Sequence, residues 1–161
     1  MPSSTPSILY WDADVLLSYI EATPGRVENI RALLTEADNG EHEIVTSMLS
    51  VTEVAFAAQE KVGSLLDEVT ESRIKKLWVP PSPIKLVEYH LLIAERAREL
   101  LRERITRGWG RLRPADAIHL STAENAGATR FHTYNTDDFE RWAAVIGVPV
   151  EEPVSSKPQM L

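Results

Sequence analysis

The sequence contains no cysteine and has no long uninterrupted apolar segment. The absence of cysteine excludes disulfides and thiolate metal sites, and it agrees with a reducing cytoplasm. No stretch approaches the roughly 20 apolar residues that a membrane-spanning helix needs. The opening Met-Pro-Ser-Ser-Thr-Pro lacks the basic and apolar regions of a secretory signal. We therefore expect a cytoplasmic protein without membrane association.

The sequence also lacks an excess of positive charge. It has 17 lysines and arginines against 24 acidic residues, a net charge of −7 and a pI near 5.1. Nucleic-acid-binding proteins are typically basic, so such a function would require locally concentrated positive charge. Residues 96–113 provide it, with seven arginines and two glutamates. This segment fits either a solvent-exposed helix face with Glu–Arg pairs or a surface that contacts phosphates.

What the sequence does contain is a regular alternation of short apolar segments and amphipathic helical segments. At 161 residues, 43% of them hydrophobic, the chain is long enough for one domain with a real core. Aromatic and β-branched runs predict strands, and apolar residues at helical spacing predict the helices between them. The predicted strands are residues 7–11, 43–46, 77–79, 129–133 and 148–150.

This alternation predicts an α/β fold. Crossover helices between successive strands imply a three-layer α/β/α domain over residues 1–161, with a mostly parallel central sheet of about five strands. Pro149 places the last strand at a sheet edge. The longest helix is predicted to begin near Pro83 and to run to about Thr106. Residues 1–6 and 153–161 are predicted to be flexible ends.

Acidic side chains occupy comparable places in this pattern, at a strand end or in the first turn of the helix that follows. They are Asp12, Glu53, Asp116 and the pair Asp137 and Asp138, with Asn135 just before that pair. Each has a structural explanation as well. Ser50 to Glu53 fits a capping box, Asp14 suits a helix N-cap, and the other acids are favoured by the helix dipole.

Taken together, the acids predict a metal site. In an open parallel sheet, helix starts that follow strands meet at the carboxyl edge. Carboxylates held close together there repel one another and must take up protons or bind a cation. All-oxygen ligands suit Mg²⁺ or Mn²⁺, and Mg²⁺ keeps coordination positions for a phosphate oxygen and a water. The pattern is typical of metal-dependent phosphoryl transfer.

Four segments carry a resemblance to a known family. They are Ile8-Leu-Tyr-Trp-Asp-Ala-Asp-Val-Leu-Leu17, Ser47 to Glu53, Pro114-Ala-Asp-Ala-Ile-His-Leu-Ser-Thr-Ala123 and Thr133-Tyr-Asn-Thr-Asp-Asp-Phe139. In order and context they resemble the PIN-domain nucleases, in particular the VapC-type toxins of toxin–antitoxin pairs. The resemblance spans about residues 7–151. It implies a Mg²⁺-dependent ribonuclease in which Mn²⁺ can substitute, a homodimer, and inhibition by a VapB-like antitoxin.

The resemblance also implies roles for individual residues. Asp12, Glu53 and Asp116 would be catalytic metal ligands. Asn135 stands where many relatives have aspartate, so Asp137 or Asp138 would complete the metal set. Asp14 departs from the usual asparagine and adds a charge beside the site.

Several other polar residues are open to two interpretations. Ser47 and Thr133 either orient a ligand or merely end strands. Trp109, among the arginines expected to hold the RNA backbone, either stacks on a base or anchors an interface. Those arginines are Arg107, Arg111 and Arg113. His119 follows Asp116 by three residues, and we interpret it as a partly buried histidine on an apolar face.

Two alternatives stay open from the sequence. A haloacid-dehalogenase-like phosphohydrolase would use Asp12 as nucleophile and Asp14 as acid and base. It would also need a hydroxyl such as that of Thr46 and a nearby lysine, yet no lysine occurs between Lys85 and Lys157. A non-catalytic module that binds nucleic acid or protein would bind equally well in the presence of a chelator.

Overall fold

One parallel sheet organises the chain. The computed structural model describes residues 5–157, and within them the strand order is β3-β2-β1-β4-β5 with every neighbouring pair parallel. The strands are β1 Ser7–Trp11, β2 His42–Ser47, β3 Ile84–Val87, β4 Arg130–His132 and β5 Val150–Glu151. β1 is central because it pairs with β2 on one side and β4 on the other. The predicted three-layer α/β/α fold is confirmed.

Helices cover both faces of this sheet. They are α1 Ala13–Ile20, α2 Val27–Asp38, α3 Leu49–Ala58, α4 Glu68–Trp78, α5 Leu91–Arg107, α6 Pro114–Asn125, α7 Thr136–Phe139 and α8 Ala143–Ile146, with 3₁₀ turns at Glu60–Val62 and Glu140–Trp142. Helices α1 to α4 contribute to the core on one face, and α5 to α8 contribute to the core on the other. Within residues 5–157, no helix combines the length and apolar character needed to cross a membrane.

Side-chain alternation along β1 divides the core into two layers. Leu9 and Trp11 pack among α1 to α4, whereas Tyr10 packs with Phe131 among the helices of the opposite face. A strand buried on both faces requires apolar residues at consecutive positions, which explains the run that ends at Trp11. Asp12 follows this strand immediately, so the fold places its carboxyl group at the centre of the carboxyl edge.

The prediction of a strand at residues 77–79 was wrong. Ile74 and Leu77 are buried at helical spacing in α4, and the prolines that follow end that helix. The Ser82 hydroxyl donates to the Leu77 carbonyl at 2.7 Å and accepts from the Ile84 amide at 3.2 Å. This turn delivers the chain to β3 at Ile84, where the sequence predicted a helix, and α5 begins only at Leu91.

The last strand lies at a sheet edge, as predicted, although it comprises Val150–Glu151 rather than residues 148–150. Residues 153–157, predicted to be part of a flexible end, contact α2 instead. The Ser155 hydroxyl lies 2.5 Å from Glu36 Oε1, and the Ser155 amide donates to Asn29 Oδ1 at 3.0 Å. The rest of both predicted flexible ends, apart from residues 5 and 6, lies outside the described residues.

A buried histidine on β4 makes stability depend on pH. Trp11 Nε1 donates to His132 Nδ1 at 3.1 Å, and because an indole nitrogen can only donate, that histidine nitrogen must remain unprotonated. Burial lowers the pKa of His132 from 6.5 to about 4, against the opposing charge of Glu151. The unfolded chain therefore binds this proton at a higher pH than the folded chain does.

We expect acid to destabilise the fold through His132. Because the folded pKa is depressed, the contribution is fully present above pH 6.5 and is lost as the pH falls toward 4. At pH 5 the loss is on the order of 2 kcal/mol. His132→Asn keeps an acceptor for Trp11 but cannot titrate, so urea unfolding at pH 7 and pH 5 should show a smaller loss in the variant. Equal losses in the two proteins would contradict this assignment.

Candidate functional site

A polar cleft of about 300 Å³ lies at the carboxyl edge of the sheet. Its polar lining comes from four separate parts of the chain: Asp12, Asp14, Glu53, Arg113, Asp116, His119 and Asn135. The three carboxylates predicted as metal ligands thus face one cleft, although up to about a hundred residues separate them in sequence. The parallel sheet explains part of this convergence, because β1, β2 and β4 deliver the segments that carry Asp12, Glu53 and Asn135 to the same edge. Asp116 reaches that edge because α6, which follows α5, packs against β2.

Asp12 is the most deeply placed acid of the cleft. It is 4% exposed, and its Oδ1 accepts a hydrogen bond from the Val15 amide at 3.3 Å as the N-cap of α1. The prediction that Asp14 caps this helix was wrong. Burial, and then contact with the Asp14 carboxyl group, raises the pKa of Asp12 well above its usual value. An ionised Asp12 therefore needs a cation more than an exposed carboxylate would.

Asp14 connects α1 to the segment after β4. Both of its carboxylate oxygens lie 3.3 Å from the Tyr134 amide, and Oδ2 accepts from the Thr133 hydroxyl at 3.4 Å. The same hydroxyl accepts from the Asn135 amide at 3.0 Å. Thr133 and Asp14 together hold the loop that brings Asn135 to the cleft.

Glu53 does not belong to a capping box. Helix α3 begins at Leu49, and the Ser50 hydroxyl lies 2.7 Å from the hydroxyl of Thr46 rather than at the helix cap. Glu53 Oε1 instead lies 2.5 Å from Nε2 of His119. Its carboxylate is therefore turned toward the cleft by a partner on α6.

His119 is not the histidine on an apolar face that we expected. It is 2% exposed, yet both ring nitrogens have polar partners, Glu53 at Nε2 and the Tyr10 hydroxyl, 2.5 Å away, at Nδ1. Sequence reasoning missed this role. The available signal was the three-residue spacing from Asp116, which places both side chains on the cleft-facing side of α6.

Asp116 is held by an arginine of the same helix turn. Arg113 Nε donates to Oδ2 at 3.0 Å and Nη2 donates to Oδ1 at 3.3 Å. The carboxylate raises the pKa of the Arg113 guanidinium, so this is a charge-assisted bidentate pair. The Arg113 side chain is 57% exposed and that of Asp116 is 15% exposed. The basic group thus covers the acid from the solvent side.

The candidates for the fourth acidic position, Asn135, Asp137 and Asp138, do not all lie in the same place. Asn135 lines the acidic cleft. Asp138 is exposed and lines an adjoining depression of about 290 Å³ together with Arg111, Arg113 and Asp116. Asp137 is exposed and lines neither of these two cavities. Of the two predicted aspartates, Asp138 is therefore nearer to the other acids.

The remaining predicted residues lie outside the acidic cleft. Ser47 is fully buried, and its hydroxyl accepts from the Leu49 amide at 3.1 Å, where it helps the chain turn from β2 into α3. The Arg107 guanidinium lies 4.7 Å from the Trp109 ring centroid. Trp109 packs edge-to-face on Trp142 at 5.0 Å, so its ring contributes to the core.

A second group of acids lies at the opposite edge of the sheet. Glu36, Glu41 and His42 are the only three potential metal ligands in residues 5–157 whose ligand atoms all lie within 4.8 Å of one another. His42 opens β2 and pairs in register with Ser7 at the start of β1, far from Asp12 at its end. The acids of the cleft are more widely spaced, which suits an ion that keeps several water ligands.

The sequence matches one protein-family model. The model is that of the PIN domain, and it matches residues 9–145. A search of the curated proteins gave no match.

Several solved structures share the fold. The chain is similar to VapBC from Salmonella typhimurium bound to DNA, with a TM-score of 0.70, 18% identity, and coverage of 91% of this chain and 98% of the other. It is also similar to VapBC2 from Rickettsia felis bound to a promoter DNA fragment, with a TM-score of 0.69, 15% identity and coverage of 90% and 98%. For VapC20 of Mycobacterium tuberculosis, a toxin that cleaves the sarcin–ricin loop, the TM-score is 0.61, the identity 12% and the coverage 80% and 91%.

Proposed function

Because the chain belongs to the PIN domain family, we propose that it is a divalent-metal-dependent ribonuclease and the toxin of a VapBC-type toxin–antitoxin pair. One observation carries the proposal. Asp12, Glu53 and Asp116, which come from three separate helices or their caps, line a single cleft in which burial of Asp12 disfavours an uncompensated negative charge. A bound cation would relieve the repulsion among these carboxylates and between them and a polyanionic substrate.

The residues present fit a Mg²⁺ ion. Their carboxylate oxygens are hard ligands, and Mg²⁺ usually binds through one or two carboxylates while it retains several waters. We propose that Asp12 and Asp116 hold the ion, that Glu53 is a further ligand, directly or through a water, and that Asp138 or Asn135 would complete the site. Mn²⁺ should substitute, because its ligand preference is similar. The bound ion would supply Lewis acidity toward the scissile phosphodiester and a water suited to attack it.

The chain's own basic groups would then position the substrate. Arg111 and Arg113 line the depression beside Asp116 and Asp138, where a guanidinium can bind a phosphate oxygen pair. Arg113 must loosen its hold on Asp116 to do so. Arg107 is packed over Trp109, and we propose for it only a peripheral contact with the RNA backbone.

The structural matches support a proposal for the partners. The Salmonella typhimurium and Rickettsia felis structures are VapBC complexes with DNA, and another match is a FitAB complex bound to DNA. By analogy we propose a VapB-like antitoxin, a homodimer and a cytoplasmic location for this chain. The membership of the PIN family argues against the haloacid-dehalogenase alternative, in which Asp12 would form an aspartyl-phosphate.

Purified protein, freed of any antitoxin, should cleave RNA in the presence of Mg²⁺ and should lose this activity on addition of EDTA. The reason is that His119 cannot act as a base in place of the ion, since both of its nitrogens are engaged. Gel analysis of RNA pools with and without Mg²⁺ makes the measurement, and restoration by excess Mn²⁺ is the control. RNA binding without cleavage under all of these conditions would instead favour a non-catalytic module.

A further inference from the structure

We propose that Tyr10 and His119 form a buried hydrogen-bonded chain that positions the Glu53 carboxylate in the cleft. In this assignment both are positioning residues, and neither touches the substrate or the ion. The inference rests on the proposed function, because the orientation of Glu53 matters for catalysis only if the cleft binds a metal ion.

Three elements of the fold contribute to this chain. Tyr10 lies on the central strand β1, two residues before Asp12, and it is fully buried. Its hydroxyl lies 2.5 Å from His119 Nδ1 on α6, and His119 Nε2 lies 2.5 Å from Glu53 Oε1 on α3. The Glu53 side chain is 32% exposed and that of His119 is 3% exposed. The hydrogen-bonded series from Tyr10 through His119 to Glu53 thus runs from the core to the cleft surface.

A single arrangement of protons satisfies both contacts of a neutral imidazole. An ionised carboxylate can only accept, so His119 Nε2 carries the hydrogen and donates it to Glu53. Nδ1 is then an acceptor, and the Tyr10 hydroxyl donates to it. The Tyr10 ring packs on Phe131, with centroids 5.0 Å apart, and this contact fixes the buried end of the hydrogen-bonded series.

This arrangement gives His119 a role other than that of a ligand or a base. Its two nitrogens are both engaged with protein groups, so neither is available to a metal ion or a water. Glutamate has three rotatable bonds, and a partially exposed side chain of this kind ordinarily samples many rotamers. A rigid donor selects one of them before metal binds, in the way that outer partners of metal sites orient the ligands.

Three substitutions separate this role from ordinary packing. His119→Met fills a similar volume without a donor, His119→Gln retains an amide N–H near the position of Nε2, and Tyr10→Phe removes only the hydroxyl. Titration calorimetry with Mn²⁺ gives the metal affinity, and RNA cleavage gives kcat and KM separately. Thermal unfolding checks that each variant is folded.

We expect His119→Met to weaken Mn²⁺ binding and to lower kcat, each by about 10-fold or more, because loss of an orienting partner typically costs 10–100-fold. KM for RNA should change by less than about twofold, since the phosphate-binding arginines are untouched. His119→Gln should recover most of the loss, and Tyr10→Phe should show a smaller loss in the same direction. A Gln variant as defective as the Met variant would overturn the proposal.

A double substitution tests whether His119 acts through Glu53. In a Glu53→Gln background, adding His119→Met should cause no further loss of Mn²⁺ affinity, because the carboxylate that it orients is gone. Additive losses would show that His119 affects Mn²⁺ binding independently of Glu53, and they would overturn the proposal.

A metal-free measurement distinguishes failure of this inference from failure of the proposed function. In protein labelled with ¹⁵N-histidine, the His119 signals, assigned by their loss in His119→Gln, should show the tautomer with hydrogen on Nε2. The opposite tautomer would refute the hydrogen-bonded chain. Wild-type protein that shows the expected tautomer but neither binds Mn²⁺ nor cleaves RNA would refute the proposed function alone.

Discussion

Replacing Asp12 by asparagine is expected to abolish Mg²⁺-dependent RNA cleavage while leaving the folded protein at least as stable as before. Asparagine keeps an oxygen that can accept from the Val15 amide, so α1 remains capped. It removes the charge on which metal binding depends, and loss of a centrally placed charge-stabilising group costs about 10³-fold in rate. It also removes a carboxyl group whose folded pKa is raised by burial and by Asp14.

The sign of the stability effect follows from that raised pKa. An acid with a higher pKa in the folded state stabilises the fold only at low pH, and the stabilisation is lost as the pH rises. At neutral pH the unfolding temperature of metal-free Asp12→Asn should therefore equal or exceed that of the wild type. Asp67→Asn is a matched control, because Asp67 is also an aspartate that caps a helix. It caps α4 by accepting from the Thr70 amide at 2.8 Å, and it lies outside the cleft lining. Normal cleavage by Asp12→Asn would refute the site assignment.

Replacing Asp116 by asparagine is expected to separate RNA binding from RNA cleavage. The substitution removes a proposed ligand charge and also the ionised partner of Arg113. Cleavage should fall by about 10²–10³-fold. RNA affinity, measured by fluorescence anisotropy in the presence of EDTA, should stay equal or increase, because the guanidinium keeps its charge and is free to bind a phosphate.

Asp137→Asn is the control for that experiment, since it removes one negative charge from an exposed residue that does not line the acidic cleft. It should leave both cleavage and binding within about twofold of the wild type. A parallel fall in RNA affinity and cleavage in Asp116→Asn would instead mean that the Arg113–Asp116 pair itself forms the binding surface.

The general fold was predictable because β1, β2 and β4 are short segments with aromatic or β-branched residues at their centres, separated by helical segments. Those patterns are local, and the spacing of apolar residues together with the turn residues between segments suffices to identify them. The error at residues 77–87 arose where two patterns compete. Trp78 and Val79 have strand propensity, but Ile74 and Leu77 are buried on a helix, and burial in the tertiary structure outweighs propensity.

The cleft was predictable in its acids but not in its connections. Asp12 caps α1 and Asp116 lies in the first turn of α6, as predicted, whereas Glu53 lies one turn further into α3 and still reaches the same edge of the sheet. The contact of His119 with Tyr10 joins residues 109 positions apart, and no local spacing signals it. The bidentate pair of Arg113 and Asp116 spans only three residues, yet the sequence equally allowed Arg113 to point into solvent.

The strand order has a consequence for synthesis of the chain. The acidic cleft needs residues from positions 12 to 135, and β1 acquires its second neighbour only when β4 is available. While a ribosome is still translating the segment before α6, the emerging polypeptide has Asp12 and Glu53 but neither Asp116 nor Asn135. Any activity that depends on this cleft therefore cannot begin until the segment that carries Asp116 and Asn135 has been synthesised.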